Sequence, residues 1–449
     1  MQQKLQEHIR QQFPFLKDKK LLVAISGGLD SVVLTHLLHQ LHFDISLAHC
    51  NFKLRDIESD IDEDFVKNVG KKLKIKTFTT SFETYKIAKE TKQSIQVTAR
   101  NLRYSWFNEI IEKHQFDYVL TAHHADDNLE TFLINLSRGT GLEGFTGIPA
   151  INKNTVRPLL IFSRDEILNY AKAHAITWRE DQSNASIKYV RNKIRHQIVP
   201  VLKEINQNLL TSFSKTVEHL QESQQIIDDK VKEVKQFVFD KSDFSNSIET
   251  TNNFIKINVQ NIQKLSYPKA YLYQLLKNYG FTEWNDIIDL LSAQSGKQVF
   301  SKTHRLLKDR EYLILSNHNR EDVSSKIEKL YLIKENSTEI THPIHLVLET
   351  VSKIGKKNKN TIYVDKDLLK FPLIVRKWQK GDYFYPVGMK GKKKVSKYFK
   401  DEKMSLLAKE NTWLLCNNDS RIIWIEGKRQ DNCTITKPNT KTILKITKK

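Results

Sequence analysis

Between Lys20 and about Leu136, short apolar runs alternate with stretches of helical spacing. The runs "LLVAI", "DISLAH", "IKTFTT" and "YVLTAH" read as buried strands, and segments such as "ESDIDEDFVKNVGKKL" between them read as helices. This alternation predicts an α/β domain, a parallel sheet with helices on both faces. After Ile187 the period changes. Apolar residues recur at three and four through "IKYVRNKIRHQIVPVLKEINQNLLTSFSKTVEHLQESQQIIDDKVKEVKQFV", which predicts a long helical arm that Pro200 bends or restarts. The arm leads to a mixed α+β region ending near Ser316, and "SNHNREDVSSK" reads as a linker. From about Thr341, "VLETV", "TIYVD", "LIVRKW", "TWLLCN" and "RIIWIEG" predict a small β-containing domain. A chain of 449 residues exceeds what one core usually serves. The expected division is residues 1–210, 211–330 and 341–449.

Charge adds a partner to this outline. Lys and Arg number 72 against 52 Asp and Glu, a formal excess of 20. Residues 351–449 hold 25 basic and 9 acidic side chains, so the last domain carries most of that excess. Such a surface releases counterions on meeting a polyanion, which points to RNA or DNA ahead of an anionic membrane. The cysteines are Cys50, Cys416 and Cys433, an odd number with no C-x-x-C pair, which argues against a disulfide framework or a zinc knuckle. The opening "MQQKLQEHIRQQF" lacks the apolar core of a signal peptide, and no run approaches the roughly 18 apolar residues of a membrane span. A cytoplasmic protein without a membrane partner is expected.

The chemistry begins where the first strand ends, at Ser26, Gly27, Gly28, Leu29, Asp30 and Ser31. A strand that turns sharply into a helix presents free backbone N–H groups, a geometry that binds phosphate. The glycines allow close approach, and the two serines add hydroxyl donors. Asp30 would repel phosphate without an intervening cation, which suggests Mg²⁺ between carboxylate and phosphates. The loop has neither the lysine of G-x-x-x-x-G-K-[ST] nor a G-x-G-x-x-G.

A second cluster, "TAHHADDNLETFLINLSRGTGLEGFTGIP", also starts at a strand end and enters a helix. Asp127 and Glu130 are three apart and share a helical face, where they suit Mg²⁺, a base or a cationic substrate. His123, His124, Asp126 and Asp127 invite a metal reading, but adjacent residues rarely converge on one ion. Gly139, Gly141, Gly144 and Gly147 supply four of the fourteen glycines and suggest a mobile lid. Arg100 with Arg103, and Arg191 with Arg195, are pairs on helical faces that suit phosphate clamps.

Taken in order, "SGGLDS", "AR-x-x-RY", "TAHH-x-DD-x-x-ET", "RG-x-G-x-x-G", "RPLL", "DxSN" (Asp181, Ser183, Asn184) and "RN-x-IR" resemble the motifs of tRNA(Ile)-lysidine synthetases. These are members of the PP-loop ATP pyrophosphatases, which cut ATP between its α and β phosphates. The resemblance is strong over residues 20 to about 205 and resumes at "RKWQKGDYFYPVGMKGKKKVSKYFKD".

It implies a Rossmann-like catalytic domain, a tRNA-contacting middle domain and a C-terminal tRNA-binding domain. It also implies ligation of L-lysine to the wobble cytidine of an isoleucine tRNA with a CAU anticodon, through an adenylated base. ATP would lie on Ser26 to Ser31, with Mg²⁺ near Asp30. Lysine would be held by Asp127 and Glu130, and Arg103 with Arg191 or Arg195 would complete the catalytic set. Lys377, Lys392, Lys393, Lys394 and Lys397 would contact tRNA, and Trp378, Tyr383 and Phe384 either stack on bases or pack in the core. Homodimerisation is left open. The alternatives are a related tRNA thiolase, for which Cys50 is the only cysteine in the first domain, a small-molecule amidating relative, and an RNA binder without catalysis.

Overall fold

The computed structural model describes residues 1–55, 57–180, 190–239, 254–317, 330–355, 358–389 and 391–449. Asp181, Ser183, Asn184 and most of the expected linker lie outside the described residues. The chain forms two compact units, Met1–Asp228 and Asp229–Lys449.

In the first unit the apolar runs become β1 (Leu21–Ala24), β2 (Ile45–Asn51), β3 (Thr77–Ser81) and β4 (Tyr118–Leu120). Two short strands, β5 (Ile151–Asn152) and β6 (Thr155–Val156), complete a sheet of order β3-β2-β1-β4-β6-β5. All pairings are parallel except β5 with β6. The helices between are α1 (Gln2–Gln12), α2 (Leu29–Gln40), α3 (Ile57–Leu73), α4 (Thr84–Thr91), α5 (Ile95–His114), α6 (Ala125–Arg138) and α7 (Arg164–Ala173).

Strand β1 explains why both faces are covered. Leu21 and Val23 enter the core beneath α2, while Leu22 joins Phe107, Ile110 and Val119 on the opposite face. A strand apolar at every position can be buried only between two layers. The chain moves outward from β1 to β3 on one side and resumes with β4 on the other. The carboxyl ends of β1 and β4 therefore flank the switch point where such sheets bind ligands.

The helical arm is built from α8 (Val190–Lys193), a wide π-helical turn at Ile194–Ile198, α9 (Val199–Ile205) and α10 (Leu209–Val238). Pro200 sits in the first turn of α9, where its missing N–H costs nothing, so the proline restarts the helix. Ile194, Val199, Phe213 and Val217 bury against Leu129 of α6 and fasten the arm to the parallel-sheet domain.

The second unit opens with an antiparallel sheet of order β7-β10-β9-β8, from β7 (Phe254–Asn258), β8 (Gln298–Phe300), β9 (His304–Asp309) and β10 (Tyr312–Asn317). The expected β runs then form strands Leu346–Val351, Thr361–Asp365, Leu373–Lys377, Trp413–Cys416 and Ile422–Ile425. They belong to a four-stranded and a five-stranded sheet that share one core around Val364, Val375, Leu415, Trp424 and Ile446. Among the described residues, no helix is long and apolar enough to cross a membrane.

Leu22→Ala removes a fully buried side chain from the central strand. It should lower the unfolding free energy by about 2–5 kcal/mol in urea titration.

Candidate functional site

The phosphate-loop geometry forms as the residue types require. After β1, Gly27 takes φ +91°, open to glycine without strain. Ser31 Oγ accepts from the Ser26 amide at 3.2 Å and donates to the Gly28 carbonyl at 3.0 Å, while the Gly28 amide donates to Ser26 Oγ at 3.3 Å. The serines thus shape the turn that starts α2, whose first amides have no partners within the helix. Two distant groups brace it: the Arg179 amide donates to Gly27 O at 3.0 Å, and His49 donates through Nδ1 to Ile25 O at 2.9 Å.

Asp30 lies in the first turn of α2, with Oδ1 buried and lacking a hydrogen-bond partner. Burial pushes its carboxyl above the usual range, against the pull of His124 and Arg164. An orphaned hard oxygen beside a phosphate loop fits Mg²⁺. Among the described residues, no three His, Cys, Asp or Glu side chains form a metal cluster. Most ligands of the ion would then be phosphate oxygens and water, as is usual for Mg²⁺.

The second cluster lies at the head of α6, past the carboxyl end of β4. Asp127 Oδ2 accepts the His124 amide at 3.1 Å and closes the first turn. Glu130, one turn on, is 1 % exposed. The Arg195 guanidinium spans both carboxylates: Nε meets Glu130 Oε1 at 2.6 Å, and Nη2 meets Glu130 Oε2 and Asp127 Oδ1 at 3.0 Å each. Arg191 donates to Thr131 Oγ1 at 2.7 Å, with Nε 3.6 Å from Glu130. Of the two arginines left open by the sequence, Arg195 holds the carboxylates directly and Arg191 flanks them.

His124 joins the two clusters. Its buried ring places Nε2 3.7 Å from Asp30 Oδ2 and 3.4 Å from Asp127 Oδ2, with Nδ1 3.7 Å from Asp126 Oδ2. Burial acts to lower its pKa, but the three aspartates outweigh burial and raise it, favouring the imidazolium. His123 differs: burial pulls it down to about 4, and Nδ1 lies 3.0 Å from the Thr121 hydroxyl. The carboxylates also diverge. Burial works to raise Asp127, yet His124, His123 and Arg195 hold it below the usual range, whereas for Glu130 burial wins over Arg195.

Arg103 is not drawn into this cluster. It is exposed on α5 with its guanidinium 5.2 Å from the ring of Phe52, just past β2, and Arg100 lies over Tyr104. The glycine-rich segment is fastened to α6: Asn135 donates to Gly144 O at 2.9 Å, Asn128 accepts from the Ile148 amide at 2.6 Å, and Phe145 packs on Phe132. The buried Arg157 of "RPLL" donates to Pro149 O at 2.7 Å and braces the segment's end.

In the second unit, Lys392, Lys394 and Lys397 are exposed. Lys377 instead lies 3.9 Å over the Trp413 ring, where burial pulls its pKa down to about 8, and Lys393 pairs with Asp401 at 2.7 Å. Phe384 is buried, which removes it as a stacking platform, and Trp378 packs edge-on against Phe399. Tyr383 remains half exposed beneath Lys392.

Sequence reasoning missed Lys203. Its ammonium meets Asp126 Oδ1 at 2.7 Å and Asp165 at 3.2 Å, while Asp126 Oδ2 accepts the Arg164 amide at 2.8 Å. The available signal was spacing, since Arg191, Arg195 and Lys203 stand four and eight apart. Pro200 obscured it. Also missed were Arg55 and Arg179, which converge on the buried Asp62 of α3 behind Gly27.

Burial acts to raise Asp126, but His124, Lys203 and the Arg164 amide hold it well below the ordinary range. Its contribution is therefore present above the unfolded aspartate pKa and is lost as pH falls through the folded value. Lys203→Met should cost about 2 kcal/mol near neutral pH by removing the charged donor and leaving that carboxylate only the Arg164 amide and His124. The difference from wild type should vanish in strong acid, as read by thermal unfolding across pH.

Residues 1–202 match the family model described as PP-loop domain, and residues 250–318 match the one described as TilS substrate binding domain. The chain is 38% identical to the tRNA(Ile)-lysidine synthase of Parabacteroides distasonis, covering 95% of each chain. It is 38% identical to that of Bacteroides thetaiotaomicron over 99% of each, and 37% identical to that of Porphyromonas gingivalis over 92% of this chain and 90% of the relative. With the phosphate loop and the paired carboxylates in one site, and likeness over nearly its whole length, the chain belongs to the tRNA(Ile)-lysidine synthase family.

Proposed function

We propose that this chain joins L-lysine to C2 of the wobble cytidine in an isoleucine tRNA with a CAU anticodon, consuming ATP. The observation that carries this reading is the position of His124 between Asp30 and Asp127, which makes the phosphate loop and the carboxylates one site.

In the first step the cytosine O2 attacks the α phosphorus of ATP on Ser26–Ser31, and pyrophosphate leaves. Asp30 would hold Mg²⁺, which when bound supplies positive charge to the phosphates. Arg103, without an ion-pair partner among the described residues, is assigned to charge developing on the transferred phosphate. In the second step an amine of lysine attacks C2, and AMP leaves with the electrons of the C2–O bond. Asp127 and Glu130 hold the lysine ammonium, so lysine must take over contacts that Arg195 makes in this structure.

The opposite pKa directions divide the work. Asp127 stays charged and attracts the cation, while Glu130 is the better acceptor for the proton that the amine must lose. Holding the amine against the activated carbon is the larger effect. Sulfur transfer to the same base would need a reactive thiol. Cys50, the only cysteine among residues 1–228, is pushed up to about 12 by burial and does not supply one.

Mass analysis of tRNA incubated with the protein, ATP and isotopically labelled lysine tests this reading, and an unlabelled wobble base would end it. Glu130→Gln should slow lysine transfer by roughly 10²–10⁴-fold while adenylated tRNA accumulates. Rapid-quench chromatography resolves that intermediate. Asp127→Ala should raise the lysine KM and leave ATP binding intact, as followed by calorimetry.

A further inference from the structure

A basic cavity in the second unit lies outside this site. It forms where the β9–β10 hairpin meets the helices Val395–Asp401 and Leu406–Asn411. Arg310 occupies the hairpin turn at φ +51° and donates its guanidinium to the Lys403 carbonyl. Arg305 forks onto Glu410 with two bonds of 3.0 Å. These ties hold the hairpin against the helices and frame a space of about 240 Å³.

Arg310, Lys400, Lys403 and Lys409 line it, opposed by the single carboxylate of Asp309. Lys400 and Lys403 are exposed and Lys409 is half-buried. Among the described residues, none of these three ammonium groups has an ion-pair partner. Such charges would repel one another without an anion. The sequence extends the pattern, because Lys394, Lys397, Lys400 and Lys403 recur at every third position. Lys397 and Lys400 lie on one face of the helix, so the row runs from the exposed lysines already described to the cavity.

We propose that this cavity seats a backbone phosphate of tRNA, gripped jointly by the β9–β10 turn and the lysine row. The inference rests on the tRNA-modifying reading and deepens it. A small-anion site is normally built from buried, pre-oriented donors, whereas these lysines are solvated and arranged in line. That arrangement suits a polymer whose phosphates are met in succession and whose affinity comes from released counterions. Such contacts position an RNA without reading its bases. Because two elements line the cavity, an occupied site fixes the RNA's register against both.

The test is tRNA binding by full-length protein over a range of KCl concentrations. Lys400→Glu with Lys409→Glu should weaken binding roughly tenfold at moderate salt and make the log–log salt slope shallower by about 1. Lys400→Gln with Lys409→Gln should act in the same direction, and thermal melting checks that both variants fold. Turnover at saturating tRNA should stay at the wild-type value. Lys71→Glu with Lys72→Glu, an equal charge change at the far end of α3, should alter neither quantity.

Wild-type affinity and slope in both cavity variants would overturn the proposal, as would an equal loss in the α3 variant. Protection of Lys400 and Lys409 from acetylation by millimolar inorganic phosphate, but not by tRNA, would mark a small-anion site and overturn it too. Absence of lysidine from the wild-type reaction would instead sink the enzymatic reading, whatever the salt slopes show.

Discussion

Four carboxylates, Asp30, Asp126, Asp127 and Glu130, crowd the carboxyl ends of β1 and β4, each largely withdrawn from water. Buried like charges are costly unless cations stand among them. Arg195 and Lys203 bring them from the helical arm, and His124, whose pKa the neighbouring aspartates raise, lies among the carboxylates. The arm is therefore part of the site. It neutralises the site's negative charge, and the apolar contacts of Ile194 and Val199 with Leu129 keep it in reach.

This charge balance also accounts for the different roles proposed for neighbouring carboxylates. Asp127 faces His124 and Arg195 and remains ionised. Glu130 is raised by burial despite the same arginine, with the negative charge of Asp127 beside it. Environment, more than residue type, separates an electrostatic anchor from a proton acceptor.

Much of this was legible in the chain. The strands of the first sheet follow from short apolar runs, the loop at Ser26–Ser31 from glycines and serines at a strand-to-helix turn, and the facing pair Asp127 and Glu130 from a spacing of three along a helix. What stayed hidden depends on distant pairing. Nothing near Lys203 announces Asp126, and nothing near Arg179 announces the carbonyl of Gly27. The basic domain was legible as a charge excess but not residue by residue. Lys377 and Lys393 look like any surface lysine in sequence, yet one lies on Trp413 and the other on Asp401. Phe384, flanked by tyrosines, gave no sign that it alone of the three is buried.

The π-helical turn at Ile194–Ile198 carries a final consequence. A wide turn is one residue longer than regular geometry requires. If those residues wound as ordinary α-helix instead, everything downstream would rotate by about 100° around the axis. Arg195 lies at the start of that turn and Lys203 beyond it, so the regular helix would keep one cation on its carboxylates and swing the other away. The wide turn absorbs the surplus residue and keeps the two halves in phase, letting a single stretch of chain answer two separate negative charges.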